Sequence, residues 1–408
     1  MEAHFYLPHS ESFVKNPKGS APPFVDLLIK ELNDAKEIYI SLFLFNNISL
    51  YRALKRLAEL GTLINIYTIP LNGYDDKKVR AFDGSKSIDV SKRQYAEWIV
   101  KDIITENINI NYYLVPHTNL WSKQKASRGN NSYALHNKSI LVRYHNDTYK
   151  CISTSSNLAV GDPEKSENLL IIDRNSDIAM FKKYFELLGE NSIKLDNYQK
   201  FRSKHEDSHL ITTPINLRDD YESCYFTAPF IKYNNQGSNH FVQNKIIKFI
   251  ASSKRRLFIC SQHFSDINSY DRNSKSTVKA IMDIARKNPR LEVKIIKQTR
   301  ESHQAQGGRS TEAEEALIGF PNVEMKFWYP VLHDKFIIVD DEILITTANF
   351  TPTQFAWAEK HRMRYHDKEI INTFSDINSF HFVNDKDLTD SYISHFNSLW
   401  DRGERISL

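Results

Sequence analysis

The sequence predicts an α/β protein built from two related α/β/α lobes. Each lobe is read as a mixed, mostly parallel sheet flanked by helices, the two being related by a pseudo-twofold. Three observations carry that prediction. Apolar positions alternate along the chain between helical and strand-like spacing. This order runs once through the first half, lapses in a polar stretch, and then begins again. Late in each run stands the same polar pattern, a His-x-Lys on an apolar strand with a Ser/Thr-x-Asn after the next strand.

In the first run, residues 24–35 have apolar positions at helical spacing, and Glu37 to Phe45 (EIYISLFLF) reads as a strand. Ser49 to Leu60 is helical again, with Leu50, Leu54 and Leu57 on one face and Gly61 as its stop. Leu63 to Ile69 reads as a strand, Val90 to Asn107 as a helix, and Ile108 to Val115 as a third strand. Helix and strand in this rhythm imply crossover connections, which is why a largely parallel sheet is expected. Residues 117–134 intervene before a hairpin that starts at His136. Asn168 to Asp173 then returns as a strand, and Ser176 to Leu188 as a helix capped by that serine.

Glu190 to Asp220 is polar and weakly periodic, a bridge between lobes that places the domains at 1–205 and 206–408. After it the order restarts. Ser223 to Ile231 reads as a strand, Val242 to Ala251 as a helix, and Arg256 to Cys260 as a strand. Ser276 to Lys287 is a helix and Leu291 to Lys297 a strand. Val323 to Tyr329 leads into His333 as Ile108 to Val115 leads towards His136. Asn378 to Asp385 mirrors Asn168 to Asp173, and Asp387 to Trp400 is the closing helix.

The second polar pattern begins at His333-Asp334-Lys335 and continues into the apolar run Phe336 to Val339. Side chains two apart on a strand share a face, so the imidazole and the ammonium point the same way. A turn at Asp340-Asp341-Glu342, then Ile343 to Ile345, brings Thr346-Thr347-Ala348-Asn349 to the same end of the sheet as Lys335. The first pattern repeats this with His136-Asn137-Lys138, Ser139 to Val142, and Thr154-Ser155-Ser156-Asn157. A lone His-x-Lys arises often by chance and reads as a solvated strand end. Two copies, each with its Ser/Thr-x-Asn, do not.

One histidine cannot attack phosphorus and protonate the leaving oxygen in the same step. Two can divide the work, one forming a covalent phosphohistidine while the other acts as acid and then activates water. Lys138 and Lys335 would neutralise non-bridging oxygens, with Asn157, Asn349 and the hydroxyls of Ser155 and Thr347 as donors. No acidic cluster with cation-ligand spacing accompanies the patterns, so neither a metal nor another cofactor is expected.

These residues resemble the phospholipase D superfamily, whose signature, H-x-K-x4-D followed by G-S-x-N, occurs twice. The second copy matches at His333, Lys335 and Asp340 and has Thr-Thr-Ala-Asn for G-S-x-N. The first matches at His136 and Lys138, with Arg143 where the aspartate would stand and Thr154 for the glycine. The resemblance implies an active site at the seam of the lobes, with His136 as nucleophile and His333 as acid; the reverse stays open. It implies a downstream glutamate that orients a histidine, and Glu167 and Glu359 each lie ten residues after their asparagine. The family aspartate serves the motif's structure, so activity should survive Arg143. With both copies in one chain a monomer suffices for one active site, and a dimer or larger complex stays open.

Composition narrows the substrate. Hydrophobic content of 41% and charged content of 25% fit an ordinary globular protein. The beginning, MEAHFYLPHSES, lacks a basic-then-apolar signal, and no run approaches the roughly 18 apolar residues of a membrane span, so no stable membrane insertion is expected. Cys151, Cys224 and Cys260 are isolated and odd in number, against a disulfide framework or zinc cluster, which favours a cytoplasmic location. A net charge of +4 is too small to announce a nucleic-acid partner unless basic residues are concentrated. Two stretches qualify: Lys123, Lys125 and Arg128 before the first motif, and Lys294 to Arg309 with Lys297, Arg300, His303 and Arg309. Each alone reads as a solvated loop; beside the motifs they are candidates for a basic cleft. Trp121, Phe327, Trp328, Tyr329 and Trp357 are candidate stacking rings, weighed against plain core packing.

The superfamily includes phospholipases, phosphatidyl transferases, nucleases and enzymes that remove peptides from DNA ends. A lipid enzyme needs an interfacial surface or anchor, and none is visible in the sequence. The expectation is therefore a metal-independent nuclease acting on DNA or RNA. The alternatives are a lipid hydrolase or phosphatidyl transferase, and a catalytically silent scaffold for phosphorylated ligands.

Overall fold

A computed structural model describes residues 1–8, 23–69, 78–83, 86–115, 135–160, 165–195, 214–219, 223–266, 276–298, 310–328, 331–355, 362–365, 368–371 and 376–405. The first lobe runs β1 (Glu2–Tyr6), α1 (Val25–Leu32), β2 (Ala35–Ser41), α2 (Ile48–Glu59), β3 (Leu63–Thr68), α3 (Lys92–Thr105) and β4 (Ile110–Leu114). It continues with β5 (Ser139–Tyr144), β6 (Tyr149–Thr154), β7 (Glu167–Ile172), α4 (Asn175–Glu190) and β8 (Ile193–Lys194).

Local chemistry sets the helix ends. Asn47 caps α2 by accepting from the Leu50 amide at 2.9 Å, and Gly61, at φ +98°, takes the left-handed turn after it. Ser91 and Gln94 form a reciprocal capping box at the start of α3, a device worth about 1 kcal/mol. The expected serine cap of α4 is not there. The helix begins at Asn175, one residue before Ser176, and Arg174 stands at the cap position with its side chain on Asp177 at 2.7 Å.

The second lobe runs β9 (Cys224–Thr227), α5 (Ser238–Ala251), β10 (Arg256–Ser261), α6 (Thr277–Lys287), β11 (Glu292–Gln298), α7 (Ser310–Ile318) and β12 (Val323–Trp328). It closes with β13 (Lys335–Val339), β14 (Glu342–Thr346), β15 (Asn378–Val383), α8 (Lys386–Arg402) and β16 (Glu404–Arg405). Strand order in the first sheet is β1-β7-β6-β5-β2-β3-β4-β8, and in the second β9-β15-β14-β13-β10-β11-β12-β16. The two orders are identical element for element, and the helices fall at matching places between them. Core positions such as Ile38, Ile40, Ile64 and Ile66 in one lobe, and Leu257, Ile259, Ile295 and Ile337 in the other, are fully buried.

The sheets are mixed, with a smaller parallel share than the crossover rhythm implies. Only β2, β3 and β4, and likewise β10, β11 and β12, run parallel to one another. The motif hairpins fold back, so β5 lies antiparallel to both β2 and β6, and β13 to both β10 and β14. The short edge strands β1, β8 and β16, and the helix α7, were not anticipated. Nor were the ribbons Lys78–Asp83 with Lys86–Ser91 and Arg362–Tyr365 with Lys368–Ile371, or the small sheet of Ile215–Leu217, Ile231–Tyr233 and Gln236–Gly237. The chain divides into two units, Met1–Asn119 with Ala134–Thr213, and Leu120–Tyr133 with Pro214–Leu408. No described helix is long and apolar enough to cross a membrane.

Candidate active site

In the first lobe, residues 136–138 lead directly into β5. Lys138 is fully buried, and its Nζ donates to the carbonyl of His136 at 2.7 Å. The His136 ring packs near Phe43, with centroids 6.4 Å apart. Asn137 and Ser139 lie one position out of phase, on the α4 side. There Asn137 Oδ1 takes the Ser139 hydroxyl at 2.9 Å, and Ser41 Oγ meets the Tyr184 hydroxyl at 3.0 Å. Burial pushes Tyr184 up, against hydrogen bonds from Ser41 and Asn137.

At the far end of β6, Thr154 takes the place of the family glycine. Its Oγ1 donates to the Asn168 carbonyl at 2.7 Å and accepts from the Ser156 amide at 3.0 Å, closing the turn that leads to Asn157. Leu158, just after that asparagine, holds φ +52°, an uncommon conformation for leucine. Asn47 secures it: the side chain that caps α2 also donates to the Leu158 carbonyl at 3.0 Å. Ser155 Oγ donates to Glu167 Oε2 at 2.5 Å and accepts from the Asn168 amide at 2.9 Å.

The second lobe repeats the lysine and hydroxyl bonds to the backbone. Lys335, fully buried, donates to the His333 carbonyl at 2.5 Å. Thr346 Oγ1 donates to the Ser379 carbonyl at 2.7 Å and accepts from the Ala348 amide at 3.0 Å. Thr347 Oγ1 accepts from the Ser379 amide at 3.0 Å, as Ser155 does from Asn168. His333 is 4% exposed and Asn349 9%, so both are buried.

The matching register also identifies where the lobes differ. Thr154 pairs with Leu169 and Thr346 with Phe380, so the position equivalent to Glu167 is Asn378. Thr347 Oγ1 donates to Asn378 Oδ1 at 3.1 Å, the same bond with an amide in place of the carboxylate. Asn378 in turn donates to Gln354 Oε1 at 2.9 Å, and Gln354 donates to the Asp376 carboxylate. Glu359, the residue expected in this role, lies outside the described residues. Spacing along the chain and strand register point to different residues here, because a longer stretch separates Asn349 from β15 than Asn157 from β7. Aligning strand with strand would have found Asn378.

A second difference concerns the motif aspartate. Asp340 accepts from the backbone amides of Lys254, Arg255 and Arg256 at 3.0, 2.7 and 3.0 Å, tying β13 to the start of β10. Burial alone would raise its carboxyl, but those amides and the Arg255 charge outweigh it and hold the group below the usual range. Ile38 pairs with Val142 as Leu257 pairs with Val339, so Arg143 stands where Asp340 does and Glu37 where Arg256 does. Arg143 bonds Glu37 at 2.9 Å and Asp147 at 2.8 Å. A side-chain ion pair in the first lobe thus stands where backbone amides hold a carboxylate in the second, and it ties this motif strand to its neighbour without the aspartate.

Other expected residues fall elsewhere. Trp328 is only 2% exposed in β12, so its ring offers no face to a base and packs as core. Lys297 is fully buried against Glu314 and cannot line a cleft. Lys294 pairs with Glu292 at 2.6 Å. Trp121, Lys123, Lys125, Arg128, Arg300, Arg309, His303, Tyr329 and Trp357 lie outside the described residues.

A family model described as cardiolipin synthase, PLD-like domain, matches residues 246–400. The solved phosphatidylserine synthase of Haemophilus influenzae Rd KW20 aligns over 99% of this chain and 87% of its own, at 12% identity and a TM-score of 0.58. Polyphosphate kinase from Porphyromonas gingivalis aligns over 100% of this chain at 12% identity and a TM-score of 0.54. The chain spans about half of that kinase, 48% of its length. Nuc, a phospholipase D family member from Salmonella typhimurium, aligns over 45% of this chain and 97% of its own, at 18% identity and a TM-score of 0.31. No curated protein matches the sequence. At these identities the structural likeness speaks for the fold alone.

Proposed function

We propose that the chain is a member of the phospholipase D superfamily and works as a metal-independent phosphodiesterase through a covalent phosphohistidine, with nucleic acid as substrate; the family model over residues 246–400 supports the first part of this reading. The observation that carries the chemistry is the duplicated arrangement: His-x-Lys at the head of β5 and of β13, each with its buried lysine and its Ser/Thr-x-Asn turn. In this reading both imidazoles serve one phosphorus atom. His136 attacks it, and His333 protonates the departing oxygen. His333 then takes a proton from water, which displaces His136. Lys138, Lys335, Asn157 and Asn349 hold the non-bridging oxygens and stabilise the charge of the pentavalent transition state. The carboxylate of Glu167 has only an amide as its counterpart in the second lobe. By the family resemblance Glu167 orients a histidine, and a carboxylate in that role would steady the positive charge of a phosphorylated imidazole, which favours His136 as the nucleophile. Because Arg143 pairs with Glu37 across the strands, the imperfect first motif is no argument for a silent scaffold.

The nucleic-acid assignment rests on the basic residues Lys123, Lys125, Arg128, Arg300 and Arg309, which flank the motif strands in sequence. A phosphatidyl transferase is the second reading, favoured by the description of the matching family model. One screen separates them. The protein is incubated in chelator with single- and double-stranded DNA, RNA and mixed phospholipid vesicles. Cleavage of nucleic acid, abolished in His136→Ala and in His333→Ala, is the expected result. Head-group release or exchange with nucleic acid intact would move the substrate to lipid, and activity lost to chelator would overturn the mechanism.

A further inference from the structure

The helix that closes each lobe packs beneath the motif strand, and the residue in the middle of each His-x-Lys faces it. In the first lobe the middle residue is Asn137 and the helix residue is Tyr184. In the second they are Asp334 and His395. The offset that maps β7 onto β15 carries Tyr184 onto His395, so the two pairs occupy one place in the repeat. Asp334 is fully buried, and its Oδ2 lies 3.1 Å from His395 Nε2, itself 2% exposed. Phe336, the next residue of the strand on that side, packs near the His395 ring and against Tyr392, with centroids 6.2 and 5.1 Å away.

We infer that His395 is a positioning residue for the second motif: through Asp334 it fixes the segment that presents His333 and Lys335. The inference rests on the proposed role of that motif in phosphoryl transfer. Its logic is mechanical. Lys335 Nζ donates to the carbonyl of His333, so the ammonium and the peptide before Asp334 move together. Asp334 is the one side chain between them, and its bond to α8 ties that peptide to a separate, buried element. Removing one member of a buried carboxylate–imidazole pair leaves the other without its partner in a dry interior, and the segment shifts to relieve it. Asn137 and Tyr184 show that the same place also accepts a pair without a carboxylate. The influence of Asp334 is local: after burial, it is a further cause that pushes up the Cys260 thiol and the Tyr392 hydroxyl.

The first lobe supplies the test. Asp334→Asn and His395→Tyr are made singly and together, the double variant carrying the first lobe's pair in the second. Two readouts are taken on the full chain: kcat and KM for bis(p-nitrophenyl) phosphate in chelator, and the titration of the His333 ring by nitrogen-15 resonance spectroscopy, assigned with His333→Gln. Each single change is expected to lower kcat about tenfold or more with KM little altered, because a small displacement of a reacting group costs that much. Each should also move the His333 titration, and the double variant should recover both readouts to within about threefold in rate. Single variants that lose thermal stability but keep kcat and the His333 titration would overturn the inference, as would a double variant no better than the worse single one. If the wild-type protein cleaves no phosphodiester, the proposed function fails, and the His333 titration still decides the positioning role by whether the single variants move it.

Discussion

The two lobes share a strand order, a pair of buried lysines and a pair of threonine-closed turns, yet they anchor those features with different chemistry. In the first lobe the motif strand is tied to its neighbour by Arg143 and Glu37, the hydroxyl of Ser155 meets a carboxylate, and the strand rests on an amide and a phenol. In the second, Asp340 takes backbone amides, Thr347 meets an amide, and the strand rests on a carboxylate and an imidazole. Each lobe thus keeps one carboxylate close to its motif, but in a different slot. The comparison teaches that the fold specifies which positions must be bonded, and leaves the type of the bonding groups free to change.

The largest expected effect breaks the comparison outright. If the lobes were independent sites, His136→Ala and His333→Ala would each keep roughly half the rate; shared chemistry predicts that each loses about 10³-fold or more in kcat with unchanged thermal stability. Steady-state assays on the purified variants decide this. A second contrast concerns the core. Lys297 and Glu314 form a fully buried ion pair in the second lobe, whereas Thr68 holds the equivalent place in β3 and donates to a backbone carbonyl. Glu314→Ala should cost about 3–5 kcal/mol of stability by denaturant titration, because a lone buried ammonium remains. No change of that size is expected from Thr68→Val.

Glu167→Gln tests whether the surviving carboxylate matters for chemistry. It should lower kcat by about tenfold, while Asn378→Asp should not raise it if, as proposed, the two histidines have different roles. The smallest effects concern the two hairpin anchors. Asp340→Ala should cost about 1–2 kcal/mol, solvent competing for the amides it frees. Its carboxyl is held lower in the folded chain than in the unfolded one, so its contribution is present above the ordinary carboxylate pKa and is lost as pH falls through the depressed value. The stability gap between the wild type and Asp340→Asn should therefore close on acidification below about pH 4. In the first lobe, Glu37→Arg with Arg143→Asp should restore what either change alone removes.

Much of this was legible in the sequence, and for a definite reason. The helices α2, α3, α6 and α8 and the central strands announce themselves because each buries one apolar face or two. The motif residues stand out because the same His-x-Lys and Ser/Thr-x-Asn pattern occurs twice at matching places in the chain. What escaped is equally physical. Strands β1, β8 and β16 are two to five residues long at sheet edges, where no apolar alternation is required. The parallel share was overestimated because a hairpin and a crossover leave similar apolar runs. Asn378 was missed because spacing along the chain is not preserved through an insertion, whereas strand register is. Asp334 and His395 were invisible because nothing in sequence joins residues 61 apart across a strand and a helix.

The claim on which the account turns is that the two lobes supply one histidine each to a single phosphoryl transfer. The most direct measurement is trapping of a labelled phosphohistidine from an activated phosphodiester, in chelator, on wild type, His136→Ala and His333→Ala, followed by peptide mapping. With a good leaving group the first step does not need the acid, so His333→Ala should accumulate label on His136 while His136→Ala accumulates none. Label on the remaining histidine in both variants would mean two separate sites, and would contradict the account.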